Sequence, residues 1–378
     1  MRVAVIADSH FDEHSRFEET IRLHAWIAED LRVRGVDAVI HTGDVYERKS
    51  TPLERQAVAS WVRQIADFAP MLIIRGNHDA VDDLPLLARL STKHPVTVEQ
   101  EAGVHAVGGV AVAALSWPRK AALLAASGAD GKEVGEAIAG DALRSVLRGL
   151  GEQLGMVGPR LFAAHAMVRG SVTSTGQPLV GCDMELGLED LALVRADAYA
   201  LGHIHKGQRW DIDGAPVVYP GSPRRTAFGE LEPKGYTLLE WTDALAVLET
   251  FVPVPATEMI QVEATWTDGG FDGDYKLAAE HEGAEVRFRY RVASDKRDAA
   301  KSAAAAWKEE LLGFGVASVK VEEVVATEQR ARSPEVAAAR TLEGKLDAYW
   351  ASKGFDPAKR RDALLAKAHA LEEASHAA

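Results

Sequence analysis

Short apolar runs, each closed by a cluster of polar residues, recur along the chain. Residues 2–7 predict a first strand, Val- and Ile-rich and unbroken, that runs into Asp8-Ser9-His10. Phe17, Ile21, Ala25, Ala28 and Leu31 then recur at helical spacing and predict an amphipathic helix packed on a sheet. Gly35 leads into the run Ala38-Val39-Ile40, closed by His41-Thr42-Gly43-Asp44. An apolar run of that length ending in glycine suits a central parallel strand better than a helix. After a polar loop, Thr51-Pro52-Leu53-Glu54 reads as an N-cap, an N1 proline and an acidic first turn, opening a helix to about Phe68. Residues 71–74 predict the next buried strand, ending in Arg75-Gly76-Asn77-His78-Asp79. Successive βα units imply a parallel sheet and an α/β fold, in which ligand sites lie at the C-terminal tips of strands.

Further along, residues 96–115 alternate and predict β-hairpins. An Ala-rich excursion at 116–154 follows, with a hinge at 127–132 and a helix over 133–154. Residues 160–164 predict a core strand ending at His165, and 197–201 another ending in Gly202-His203-Ile204-His205. Strands at 235–241 and 246–252 close a first domain, 1–252. Pro253-Val254-Pro255 reads as a linker. A small α+β domain, 256–326, is expected from strands at 259–266, 284–292 and 318–325 around a helix at 299–312. The tail, 333–378, predicts two helices, about 334–353 and 357–375, with Gly354 as a stop and Asp356-Pro357 as a new start. Such a tail is too small to build a core. Its apolar stripe, Leu346, Tyr349, Trp350, Leu364, Leu365 and Leu371, needs a partner or its own domain to cover it.

Composition adds limits. The 378 residues exceed one ordinary core, and a hydrophobic fraction of 47% marks a folded chain. A formal net charge of −13 argues against nucleic-acid binding by bulk charge, while leaving room for local basic patches and bound cations. Cys182 is the single cysteine, so neither an internal disulfide nor a thiolate zinc cluster is available. The first apolar run is cut short by Asp8, unlike a signal peptide, and no run approaches the roughly 20 residues that span a bilayer. A cytoplasmic protein with no membrane partner is expected.

The strand ends carry the chemistry. Asp8, His10, Asp44, Asn77, His165, His203 and His205 are oxygen and imidazole donors without sulfur, which suits manganese, iron or zinc. The set is too large for one tetrahedral ion and suits two divalent ions sharing a carboxylate. Two such ions outweigh two carboxylates, so the site attracts an anion, and a phosphate ester is the obvious one. Metal-acidified water would make it a phosphoester hydrolase. His78 is placed to act as a general acid or a phosphate-binding cation, with Asp79 as its expected orienting partner.

Asp8-Ser9-His10, Gly43-Asp44, Gly76-Asn77-His78-Asp79, His165 and Gly202-His203-Ile204-His205, in this order, resemble the calcineurin-like metallophosphoesterase superfamily over residues 1 to about 252. The resemblance implies a four-layer domain with central β-sheets flanked by helices. It also implies one metal on Asp8, His10, Asp44 and His205, and a second on Asp44, Asn77, His165 and His203. Where some relatives carry a second histidine three residues after the shared Asp, this chain has Glu47. Within the superfamily, Tyr219-Pro220-Gly221-Ser222-Pro223, Phe228-Gly229-Glu230, the small domain and the helical tail make the chain similar to SbcD-type DNA repair exonucleases, the bacterial counterpart of the eukaryotic meiotic-recombination nuclease. That similarity implies manganese-dependent exonuclease or endonuclease cutting at DNA ends in double-strand break repair. It also implies a homodimer and an SbcC-type coiled-coil ATPase gripping the tail. The alternative is a small-molecule or protein phosphoesterase on the same metal site. Arg224 and Arg225, then Lys206 and Arg169, are the expected phosphate-backbone contacts, with Arg48, Lys49 and Arg209 as further cations near the site.

Overall fold

Alternation along the first strand decides the layering. In β1 (Arg2–Ile6), Val3 and Val5 point to one side and Ala4 and Ile6 to the other, and all four are fully buried. A strand buried on both faces belongs in the interior of a layered stack. The computed structural model describes residues 1–127, 132–174, 184–242, 246–273, 281–326, 334–358 and 360–376. Cys182 and most of the expected hinge at 127–132 therefore lie outside the described residues.

β1, β2 (Ala38–His41), β3 (Met71–Ile74) and β4 (Val96–Glu99) pair in parallel. The antiparallel strands Gly235–Trp241 and Val247–Pro253 extend this sheet beyond β1 to six strands. A second six-stranded sheet runs in the order Gln208–Ile212, Ala215–Tyr219, Ala198–Gly202, β7 (Arg160–His165), β6 (Val110–Leu115) and β5 (Ala102–Val107). Val3, Val5, Ile40, Leu72 and Ile74 of the first sheet meet Val112, Leu161, Ala163 and Val218 of the second in one core layer. The opposite face of the first sheet packs on α1 (Phe17–Arg34) and α2 (Pro52–Ala66). That of the second packs on Leu143, Leu147, Leu150 and Leu154 of α4 (Lys132–Leu154), which follows α3 (Lys120–Ser127). The result is a helix, sheet, sheet, helix stack. Each fully buried Leu, Ile or Val stabilises it by about 1.5–3 kcal/mol.

The helix starts follow local chemistry. Thr51 Oγ1 accepts from Glu54 N–H at 3.3 Å and Glu54 Oε2 from Thr51 N–H at 2.8 Å, a reciprocal capping box with Pro52 at N1. α1 differs from expectation: Ile21 and Ala25 are exposed, and Thr20, Leu23, His24, Ile27, Ala28 and Leu31 form the inward face. Two polar residues displace the expected stripe because they are satisfied inside. His24 Nδ1–H donates to Thr20 O at 2.7 Å, and Ser9 Oγ–H donates to His24 Nε2 at 2.7 Å. His41 Nε2–H donates to Ser9 Oγ at 2.8 Å, and His41 Nδ1 accepts from Gly43 N–H at 3.3 Å. This chain of neutral groups is fully buried and ties α1 to the ends of β1 and β2.

Burial pushes His24 down to about 4 and His41 to about 3. Both imidazoles bind a proton more readily unfolded, so their contribution to stability is complete above about pH 6.5 and is lost as pH falls towards those values. His24→Gln removes one such term. The stability difference between wild type and this variant is expected to shrink by up to about 1.4 kcal/mol per pH unit between pH 6.5 and 4. Urea denaturation of both proteins across that range measures it, and a pH-independent difference would contradict a neutral, buried His24.

Close contacts divide the described chain into two compact units. The first holds Met1–Val262, Tyr275–Phe288 and Lys308–Lys320, and the second Glu263–Asp274, Arg289–Trp307 and Val321–Ala378. In the second, Trp266 and Phe271 pack with ring centres 4.8 Å apart, Phe271 meets Tyr290 at 5.2 Å, and Arg297 pairs with Glu323. The tail departs from the expected pair of helices. Its first helix is broken at residues 339–341, where Thr341 Oγ1 accepts from Gly344 N–H at 3.1 Å and caps a new start. Leu342–Ser352 and Arg361–His376 follow, and Arg361 Nη2 is 2.6 Å from Asp347 Oδ2. Of the apolar stripe, Trp350 and Leu365 are buried, whereas Tyr349 and Leu371 are exposed.

Candidate metal centre

The parallel pairing of β1 and β2 continues past their ends. Asp8 N–H donates to Gly43 O at 3.0 Å and His10 N–H to Asp44 O at 3.1 Å, so the segments bearing Asp8, His10 and Asp44 run side by side. On the second sheet, Gly202 is opposite His165, which sets His203 and His205 at the same edge. Asp8 (φ 52°), His10 (φ 45°), Asp44 (φ 55°) and His203 (φ 110°) all have positive φ. Such conformations cost free energy for non-glycine residues and cluster where function requires them.

The structure brings all seven expected donors together. Asp8, His10 and His205 form one group, and Asp44, His165 and His203 a second, with donor atoms within 4.8 Å of one another in each. Asn77 Oδ1 joins the second group, 2.9 Å from His165 Nε2 and 3.0 Å from His203 Nδ1. Asp44 Oδ2 lies 3.4 Å from His165 Nε2 and 3.8 Å from His10 Nε2, reaching both groups.

Hydrogen-bond logic shows what these atoms suit. His10 Nδ1 lies 2.7 Å from Glu47 Oε2, a charge contact that leaves Nε2 facing the site. Thr226 Oγ1–H donates to Glu230 Oε1 at 2.7 Å, so Thr226 Oγ1 accepts from His205 Nδ1–H at 3.1 Å and the Nε2 of His205 is bare. His10 Nε2 faces this bare nitrogen at 3.0 Å. Two ring nitrogens that close share either a proton or a cation, and the span fits two nitrogens each about 2.1 Å from one ion. His165 repeats the pattern: Nδ1–H donates to Thr42 O at 2.8 Å, and Nε2 faces the oxygens of Asn77 and Asp44. Outer hydrogen bonds of this kind fix the tautomer of metal-binding histidines.

The charges agree. Burial would raise Asp44, yet His165 and His10 hold it well below the usual carboxylate range. Burial lifts Asp8 to about 6, with Asp44 adding to the rise against the pull of His165 and His10. Burial alone would lower His165, but Asp44 and Asp8 raise it to about 9. Burial, then the neighbouring His165, lowers His203 to about 4, and burial with His10 and Lys234 brings His205 well down. Buried carboxylates that draw positive charge onto His165, beside the neutral imidazoles of His203 and His205, are a fitting donor set for divalent ions.

His78 sits at the open rim, 38% exposed, with its ring centre 5.1 Å from that of His10. Its backbone N–H donates to Asp44 Oδ1 at 2.9 Å. The expected orienting role of Asp79 is not what the geometry shows. Asp79 turns inward, where Oδ2 accepts from the amides of Asp44 and Gly76 at 2.9 Å each and Oδ1 from that of Tyr46 at 3.0 Å. Adjacent residues of a tight turn point apart, so Asp79 clamps the backbone under Asp44. The neighbour of His78 is Glu47, whose carbonyl lies 2.8 Å from His78 Nδ1. Glu47 thus contacts both His10 and His78. Glu47→Ala is expected to weaken manganese binding by about 10–100-fold, as outer-sphere losses typically do. Titration calorimetry reads this, and affinity within twofold of wild type would contradict it.

The expected cations are placed differently. Arg224 is 3% exposed and its Nη2 donates to His10 O at 3.1 Å, so it buttresses the backbone of the site and does not lie at the surface. Arg225 spends its donors on the carbonyls of Glu230, Thr257 and Glu232. Both side chains turn inward for one reason: the turn after Gly221-Ser222-Pro223 folds inward, where carbonyls need donors. Arg169 is exposed and pairs with Glu189, Arg209 with Glu249 and Arg48 with Asp12. Lys206, beside His205, is half-buried, and Lys49 is exposed.

Residues 1–114 match the family described as calcineurin-like phosphoesterase. A curated relative, DNA double-strand break repair protein Mre11 of Haloferax volcanii, is 27% identical over 279 residues, which cover 71% of this chain and 56% of that protein. The chain therefore spans little more than half the length of this relative. Similar solved structures include GAP50, the anchor in the inner membrane complex of Plasmodium, 12% identical over 67% of this chain and 84% of that one, with a TM-score of 0.47. A dimetal phosphatase from Danio rerio is 11% identical over 67% of this chain and 99% of that one, with a TM-score of 0.39. Among the described residues no helix is long and apolar enough to cross a membrane. Asp8, His10, Asp44 and Asn77 lie inside the matched segment and His165, His203 and His205 complete the paired donor groups from beyond it, so over residues 1–114 the chain is similar to the calcineurin-like phosphoesterases.

Proposed function

We propose that the protein is a two-metal DNA phosphodiesterase that cuts at DNA ends as an exonuclease or endonuclease in double-strand break repair. The observation that carries the reading is the reach of Asp44 to both donor groups, in a chain 27% identical to an Mre11 over 71% of its length. Asp8, His10, Asp44 and His205 would hold one divalent ion, and Asp44, Asn77, His165 and His203 the other. Manganese suits this oxygen and imidazole set, with iron and zinc as alternatives. When bound, the ions supply positive charge to a phosphodiester and acidify water. His78 is exposed at the rim and held through Glu47, so it can meet a phosphate oxygen or protonate the leaving oxygen. The relative's name supports DNA as the substrate. A coiled-coil ATPase of SbcC type and a second copy of the chain are the partners proposed. The exposed Tyr349 and Leu371 of the tail are consistent with a protein partner.

The test is manganese-dependent degradation of end-labelled linear DNA beside hydrolysis of bis-p-nitrophenyl phosphate. The expected result is cleavage of both by the wild type and a loss of about 100-fold or more in His78→Ala, the scale for removal of an acid-base group. Turnover of small esters or phosphoproteins with DNA left intact would replace the nuclease with a phosphoesterase on the same metal site.

A further inference from the structure

Beside the metal centre lies a second feature that the donor set does not explain. Trp117, in the segment after β6, is half-buried and packs its ring against His203, with centres 4.7 Å apart, and against His165 at 5.7 Å. Its backbone N–H donates to Arg75 O at 3.0 Å. Arg75 is 6% exposed, and its guanidinium donates to the carbonyls of Gln100 at 3.1 Å and Gly76 at 3.5 Å. Among the described residues it has no carboxylate within ion-pair distance, although Asp79 and Glu101 lie near enough to be felt. Arg119 is exposed, close enough to Arg75 for the two charges to repel, and likewise has no ion pair among the described residues. Arg75, Trp117 and Arg119 line one cavity of about 220 Å3 together with one carboxylate, the exposed Glu101, which leaves the two guanidinium groups in excess; the remaining wall includes Leu123, Leu143 and Val146.

A buried cation without a counter-ion is costly unless an anion reaches it. Two guanidinium groups call for a phosphate, and guanidinium geometry suits its oxygens. The indole and the aliphatic wall call for a flat apolar group, as an isolated phosphate or a phosphorylated side chain would leave them uncovered. A nucleotide has both parts. We propose that this cavity is a nucleotide subsite flanking the scissile position, in which a base stacks on Trp117 and a backbone phosphate sits between Arg75 and Arg119. The proposal rests on the nuclease reading and deepens it: the strand would be gripped one step from the metals by stacking and charge, without base-specific contacts.

The test is fluorescence anisotropy of a labelled 12-nucleotide single strand in EDTA, where binding is read without cleavage. Trp117→Ala is expected to weaken binding at least about fivefold, and Trp117→Phe, which keeps an aromatic face, to restore most of it. Arg119→Ala is expected to lower the slope of log affinity against log salt by about one contact. In manganese, KM for the oligonucleotide should rise in both alanine variants by at least fivefold more than KM for bis-p-nitrophenyl phosphate. Equal losses on the two substrates, or wild-type binding by both variants, would show a packing cavity and overturn the subsite even if DNA is cut. Trp117-dependent strand binding by a protein that leaves DNA intact would keep the subsite and overturn the nuclease.

Discussion

Asp44→Asn is expected to lower phosphodiester hydrolysis by about a thousandfold, the equivalent of several kcal/mol of transition-state stabilisation. Asparagine is the informative replacement. It tolerates the left-handed backbone that Asp44 adopts at φ 55° and can still accept the His78 N–H through its Oδ1, so the local fold is kept. What it removes is the charge. Asp44 is the carboxylate whose Oδ2 reaches towards both His10 and His165, and it stays ionised well below the usual range. Without it the two donor groups lose their shared anion. Titration calorimetry should then show fewer manganese ions bound or a large fall in affinity, with thermal melting close to that of the wild type. A second readout is independent of catalysis: in metal-free protein, His165 should titrate well below its value of about 9, because Asp44 is the main group raising it. Retention of two ions and of more than about a tenth of the activity would remove Asp44 from the bridge.

The donor set could be read from the sequence because it obeys position. An apolar run of strand length followed by Gly and a polar cluster places its side chains at a sheet edge, and β1, β2, β3 and β7 all deliver their donors there. What could not be read depends on which way a side chain turns once the chain is folded. His24 lies outside the apolar stripe expected of α1 and is part of a buried relay, because Ser9, after β1, meets it and is met in turn by His41 at the end of β2. Asp79 follows His78 but bonds to amides under Asp44, and Arg224 sits in a turn that looked exposed yet is folded under His10. Each case is a polar group satisfied by backbone atoms or by a distant strand, and neither leaves a periodic signal in a sequence. Glu47 was visible as a position without a visible role, since its two contacts, His10 and His78, converge only when the loops after β1, β2 and β3 meet. Trp117 carried no signal either, as an aromatic beside a proline reads as ordinary core.

The closeness of those loops makes a second large effect. Gly43→Ala is expected to destabilise the protein by more than about 3 kcal/mol and to weaken metal binding in what remains folded. Two costs combine. Gly43 has φ 102°, outside the range that alanine adopts without strain. A Cβ there would also fall inside contact distance of His165 Nδ1, 2.8 Å from His165 Cγ and 3.0 Å from Gly76 Cα. His165 is fully buried and its Nδ1–H is committed to Thr42 O, so the ring cannot retreat without breaking that bond and moving its donor nitrogen. The control is Gly35→Ala at the end of α1. That position has φ 64°, and a Cβ added there would meet nothing within 4 Å, so it carries backbone strain alone, about 1 kcal/mol. Thermal melting of the three proteins separates the terms, at roughly 2–4 °C per kcal/mol for a domain of this scale. If the two variants melt together, strain alone explains the glycine. If Gly43→Ala melts well below Gly35→Ala and binds manganese more weakly, the glycine is required because the two sheets must bring His165 and Asp44 to the same metal pair.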